Sequence, residues 1–91
     1  MARHRRVRSE KAAVLWLLTG KPKPALPCVV TLTRLAPSSG LDDDNLAGAL
    51  KSVRDAVAAW LGVDDKLVGV VHYVNQQRSA PWGVRIEWSP A

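Results

Sequence analysis

Between residues 44 and 61 apolar side chains recur every three or four positions, at Leu46, Leu50, Val53, Val57, Trp60 and Leu61. That spacing forms one stripe of an α-helix and predicts a helix over 44–61, stopped by Gly62. The pattern upstream is different. "CVVTLTRLAP" (28–37) is rich in β-branched residues, and Val30, Leu32 and Arg34 alternate with Val29, Thr31, Thr33 and Leu35, which predicts a strand. Two more strands are predicted in "KLVGVVHYV" (66–74) and "WGVRIEW" (82–88), the latter with Val84, Ile86 and Trp88 on one side. The run "AAVLWLL" (12–18), with Ser9 ahead of it as a candidate cap and Gly20 behind it, predicts a first helix. "APSSG" (36–40) reads as a turn and "NQQRSAP" (75–81) as the loop of a hairpin.

The element order is therefore α-β-α-β-β. Strand, helix, strand implies a right-handed crossover with the first two strands parallel, and the third strand is expected to pair antiparallel with the second. The expected fold is α/β in the two-layer α+β sense, a small mixed three-stranded sheet covered by helices. Residues 1–91 read as one domain, with a basic N-terminal arm (1–11) and a stiff connector, "KPKPALP" (21–27), outside the core. A chain of 91 residues buries only a modest share of its surface, so a second subunit would help to stabilise it and a homodimer is expected.

Composition narrows the function classes. With 47% hydrophobic and 23% charged residues the chain reads as globular, and its longest apolar run is too short to cross a bilayer. No apolar core of a secretory signal follows the basic N-terminus, and the single Cys28 has no partner for an intrachain disulfide. A cytoplasmic protein without a membrane partner is expected, with Cys28 a buried and inert thiol. Basic charge is concentrated at one end, where Arg3, Arg5, Arg6, Arg8 and Lys11 are followed by Lys21 and Lys23 in the connector. Such an arm suits a phosphate backbone, although a solvated terminus has the same composition.

The acidic residues are clustered more tightly still. Asp42, Asp43, Asp44, Asp55, Asp64 and Asp65 supply six of the eight carboxylates, and only Lys51 and Arg54 answer them within that segment. Carboxylates at a helix start cap free amides and favour the helix dipole, and one capping aspartate needs no further explanation. Three adjacent ones repel each other, and a pair just beyond the helix end opposes the dipole. If the approach to the helix is extended, Asp42 and Asp44 point to the same side, and the crossover can return the second pair to a neighbouring strand end. Hard oxygen ligands without nearby cysteine or histidine favour Mg²⁺, or Mn²⁺, over zinc. A calcium loop is excluded: counted from Asp42, Ala47 stands where glycine is needed and Val53 where glutamate is needed.

The run "LDDDNL…VRDAV…LGVDDKLV" resembles the RusA-like crossover-junction endodeoxyribonucleases, whose hallmark is Asp-x-Asp-Asn-Leu, a helix containing Asp-Ala, and an Asp-Asp pair before a strand. The resemblance spans residues 28–76. It implies that Asp42, Asp44 and Asp65 are the essential carboxylates, beside Asn45 and Asp64. It further implies a homodimeric, Mg²⁺-dependent nuclease that cuts four-way DNA junctions; related branched DNA is the wider substrate class. The family also carries a lysine four residues after the second motif aspartate, where this chain has Gly48. Lys51 is the candidate replacement at longer reach, and it is equally placed for an i,i+4 ion pair with Asp55.

Other residues carry less. His72 lies between apolar strand neighbours and reads as a packed or edge histidine rather than a general base. Trp16 and Trp60 fall in apolar helix faces and Trp88 continues a strand alternation, which leaves Trp82, with Arg78 nearby, as the aromatic candidate for a DNA contact. No phosphate-binding loop, dinucleotide fingerprint or nucleophile elbow is present, and no small-molecule cofactor is expected. The leading expectation is phosphodiester hydrolysis in branched DNA. Its alternative is a non-catalytic basic nucleic-acid-binding protein whose aspartates only cap a helix and rim a loop.

Overall fold

The computed structural model describes residues 11–37, 40–63 and 69–91. Helix α1 occupies residues 11–18, followed by strand β1 (Cys28–Ala36), helix α2 (Asp43–Leu61), and strands β2 (Val71–Ser79) and β3 (Gly83–Pro90). The order α-β-α-β-β and the mixed three-stranded sheet follow the expectation, and β1 and β2 are parallel.

The neighbour of β3 does not. β1 lies in the middle, in the order β2-β1-β3, and β3 runs antiparallel to β1 with Leu32 opposite Ile86 and Val30 opposite Trp88. The expected β2–β3 hairpin is therefore absent, and "NQQRS" is not its loop but the second half of β2. The physical reason is burial. β1 is the strand with apolar or β-branched residues on both faces, which suits the centre, whereas Asn75 to Ser79 are all exposed, as an edge strand tolerates. Residues 80–82 then carry the chain over the end of β1. Three residues suffice to cross two strand spacings of about 4.8 Å each.

Both helices cover one face of this sheet. Val14 and Leu18 of α1 join Leu46, Leu50, Val53, Ala56, Val57 and Trp60 of α2 over Cys28, Val30 and Leu32. Each fully buried aliphatic side chain contributes roughly 1.5–3 kcal/mol against exposure. Trp60 meets Trp88 of β3 with ring centroids 5.1 Å apart and planes tilted by 55°, so an aromatic pair closes one side of the core. The expected helix stops hold. Gly62 adopts a left-handed φ of 71°, and its amide donates to the carbonyls of Ala58 and Ala59. β2 begins later than its apolar pattern suggests, because Gly69 (φ 85°) is still in a turn. Residues 66–68 of the expected strand lie outside the described residues.

Trp16 corrects a second expectation. It is 79% exposed, because Val14 and Leu18, one turn apart, already form the buried stripe of α1, so Trp16 and Leu17 face outward. Cys28 is fully buried, and burial pushes its thiol up from its ordinary range, consistent with an inert side chain. His72 is exposed on the edge strand β2. No helix among the described residues is long and apolar enough to cross a membrane.

Candidate nucleic-acid interface and acidic turn

The C-terminal ends of β1 and β2 meet the N-terminus of α2, and the sheet changes character there. On the helix-facing side, Cys28, Val30 and Leu32 give way to Arg34, and on β2 Val71 and Tyr73 give way to Asn75 and Gln77. Gln77 faces Arg34 in register. Its side-chain amide clasps the turn before α2 at both ends: Leu41 N donates to Oε1 at 2.7 Å, and Nε2 donates to Leu41 O at 2.7 Å. Gly40 lies close against the clasp, since a Cβ at that position would stand 3.0 Å from the Gln77 amide, which would have to give by a few tenths of an ångström.

This clasp sets the position of the acidic turn. Asp42 is the N-cap in extended conformation (φ −68°, ψ 169°), and its Oδ1 accepts from Asn45 N at 2.8 Å. Asp43 and Asp44 already belong to the first helical turn, so α2 starts one residue earlier than its hydrophobic period indicates, and strand-like alternation does not relate Asp42 to Asp44. All three carboxylates are exposed. The Asp44 carboxylate makes no hydrogen bond or ion pair among the described residues. Asp64 and Asp65 lie outside the described residues, and no group of three or more His, Cys, Asp or Glu side chains among the described residues converges as a metal site. The donors still suit one hard cation. Mg²⁺ is commonly held by one or two carboxylates, with substrate phosphate and water completing its shell.

Lys51 pairs with Asp55 at 3.5 Å, an exposed i,i+4 contact worth no more than about 0.5 kcal/mol. Gly48, one turn before it, has open space where a side chain would project. Helix α2 has 19 residues, or about 28 Å at 1.5 Å per residue, so Asp44 and Val63, the described residue before the second acidic pair, stand at its opposite ends.

Basic side chains collect beside the acidic turn. Arg34, Gln77, Arg78, Ser79, Pro37 and Gly40 line a cleft of about 400 Å³. Arg34 also borders an apolar groove of about 350 Å³ with Val14, Leu17, Leu50, Trp82 and Val84. Its guanidinium lies 5.6 Å from the centroid of the Trp82 ring, within cation–π range, and Trp82 is 72% exposed. Lys11 on α1 and Lys21 and Lys23 on the connector are exposed, while Arg3, Arg5, Arg6 and Arg8 lie outside the described residues. Comparison with family models, curated proteins and solved structures finds no match to this chain.

Two residues of this region, Arg34 and Gln77, escape a reading of the sequence. Arg34 sits in the apolar alternation of a strand, and the signal was its sign: a charge on the helix-facing side is tolerated only where the core ends. Gln77 falls in a polar stretch that reads as a loop, and nothing local marks it as the residue that fixes the acidic turn.

Proposed function

We propose that the chain is a cytoplasmic, homodimeric endodeoxyribonuclease that uses Mg²⁺, or Mn²⁺, to hydrolyse phosphodiesters in branched DNA such as four-way junctions, as its resemblance to the RusA-like nucleases implies. The observation that carries the reading is the Gln77 clasp. It fixes the turn bearing Asp42 and Asp44 to the end of β2, next to the cleft lined by Arg34 and Arg78. Carboxylates for a cation and guanidinium groups for a phosphate thus share one end of the sheet, the pairing that metal-assisted phosphodiester hydrolysis requires. Asp42 and Asp44, with Asp65 as the third member of the family's set, would hold the ion. Bound there, the metal supplies Lewis acidity toward a phosphoryl oxygen and an activated water. Lys51 would lend positive charge from the next turns of α2.

The test is incubation of the purified protein with a synthetic four-way junction, with Mg²⁺ and with chelator. Cleavage that requires the metal is expected. Binding without cleavage under either condition would favour the second reading, a non-catalytic nucleic-acid-binding protein. That reading draws on the length of α2, about 28 Å, which puts the two described ends of the acidic segment at opposite ends of the helix, and on Asp42 serving as a cap.

Under either reading the arm residues Arg3, Arg5, Arg6 and Arg8, with Lys11, Lys21, Lys23 and Arg78, neutralise DNA backbone. Replacing the four arm arginines together by glutamine is expected to weaken duplex binding and to flatten the slope of log K against log[salt] by about 3 to 4, near 0.9 for each phosphate no longer neutralised. Unchanged slope and affinity would assign the arm to solubility alone.

A further inference from the structure

We propose that Trp82 and Arg34 form a platform for an unpaired nucleobase, so that the protein recognises DNA through a base outside the duplex stack as well as through phosphate. This rests on the reading that this end of the sheet meets DNA; it does not require cleavage. Two adjoining depressions of opposite character carry it. The cleft at Arg34 and Arg78 is basic, and the groove between α1, α2 and the start of β3 is apolar, lined by Val14, Leu17, Leu50 and Val84. Arg34 belongs to both.

A ligand that fills both depressions needs an anionic group and a flat apolar body one short linker apart. A nucleotide unit has this form. In a duplex the base is already stacked on its neighbours and cannot enter a groove, so the arrangement selects nucleotides whose base is free, as in single strands and at branch points. Trp82 is suited to receive such a base. It lies in the link that crosses the end of β1, where the end of β2 and the paired start of β3 at Gly83 anchor it on both sides. The Arg34 guanidinium holds one aspect of the ring at 5.6 Å, and 72% exposure leaves most of the indole open to a stacking partner. An exposed tryptophan backed by a cation beside a basic cleft is complementary in charge and shape to a nucleotide, and a plain apolar partner would leave Arg34 and Arg78 unanswered.

The experiment compares binding of an oligothymidine and of a duplex of equal length at one fixed salt concentration. Four variants are used: Trp82→Leu, Trp82→Ala, Trp82→Tyr and the control Trp16→Ala. Trp82→Leu and Trp82→Ala are each expected to weaken single-strand binding about tenfold, the typical loss for one base–aromatic stack, and to leave duplex binding within about twofold. Trp82→Tyr should retain single-strand affinity because its ring is kept, and Trp16→Ala should change neither. Leucine keeps apolar area without a π face, so wild-type affinity in Trp82→Leu would overturn the stacking role. Equal losses for single strand and duplex would overturn it too, since they describe a phosphate contact or a disturbed fold. Binding of an acidic peptide as tightly as the oligothymidine would replace the nucleotide by a protein partner.

Failure of this inference is separable from failure of the nuclease reading. A protein that cuts junctions while Trp82→Leu binds oligothymidine normally lacks only the platform. One that binds oligothymidine through Trp82 and never cuts lacks only the catalysis, and one that binds neither single strand nor junction overturns both.

Discussion

Replacing Leu32 by alanine is expected to cost about 2–5 kcal/mol, a large part of the roughly 5–14 kcal/mol that a domain of this size commands. Leu32 is fully buried at the centre of the middle strand, beneath both helices and flanked in register by Asn75 and Ile86. The strand is paired on both edges and cannot shift to fill the space, so the cost of the cavity is added to the forfeited transfer energy. Denaturant unfolding followed by tryptophan emission reads the loss, because Trp60 is buried and packed on Trp88. Leu17→Ala serves as the comparison. At 63% exposure Leu17 should cost no more than about 0.5 kcal/mol, even though its hydropathy equals that of Leu32. Equal effects at the two positions would contradict the central placement of β1.

That contrast also marks what could be read before the structure. The α2 stripe was legible because a single period governs it: Leu46, Leu50, Val53, Val57 and Trp60 are all buried. In α1 the run "AAVLWLL" is apolar all round, so no period separated the buried Val14 and Leu18 from the exposed Trp16 and Leu17. The order of strands was hidden for a related reason. A short link between two strands ordinarily means a hairpin, and only the polarity of Asn75 to Ser79 against the two-sided burial of β1 reveals which strand is central. At the candidate site, clustering of charge marked the acidic segment as a whole, since like charges placed together need a reason, and the family resemblance singled out Asp42 and Asp44 within it. Arg34 and Gln77 could not be found that way. Their roles arise from the register of β1 against β2, a long-range property that no local pattern records.

The carboxylates permit a sharper test, because the two accounts of Asp42 diverge on conservative substitutions. If Asp42 and Asp44 only serve the helix, Asp42→Asn should be nearly neutral in every assay, since asparagine caps as well as aspartate and can still accept from Asn45 N. Asp42→Ala should cost about 1 kcal/mol, and any function should follow stability. If the two residues hold a cation, Asp42→Asn and Asp44→Asn should each reduce metal-dependent cleavage by on the order of a hundredfold or more, with thermal stability in chelator unchanged or slightly raised as repulsion in the turn is relieved. Metal-induced stabilisation, which grows as RT ln(1 + [L]/Kd), should disappear with them. Helix α2 adds a condition on where the third carboxylate comes from, because Asp44 and Val63 stand at opposite ends of its length of about 28 Å. Mixing Asp44→Asn with Asp65→Asn protein decides it. A site assembled within one chain stays dead in every mixed dimer, whereas a site assembled across a two-fold axis regains one intact set per mixed dimer and recovers part of the activity. Recovery would make the homodimer part of the active site, and full activity in the Asp44→Asn homodimer would remove the acidic turn from the chemistry.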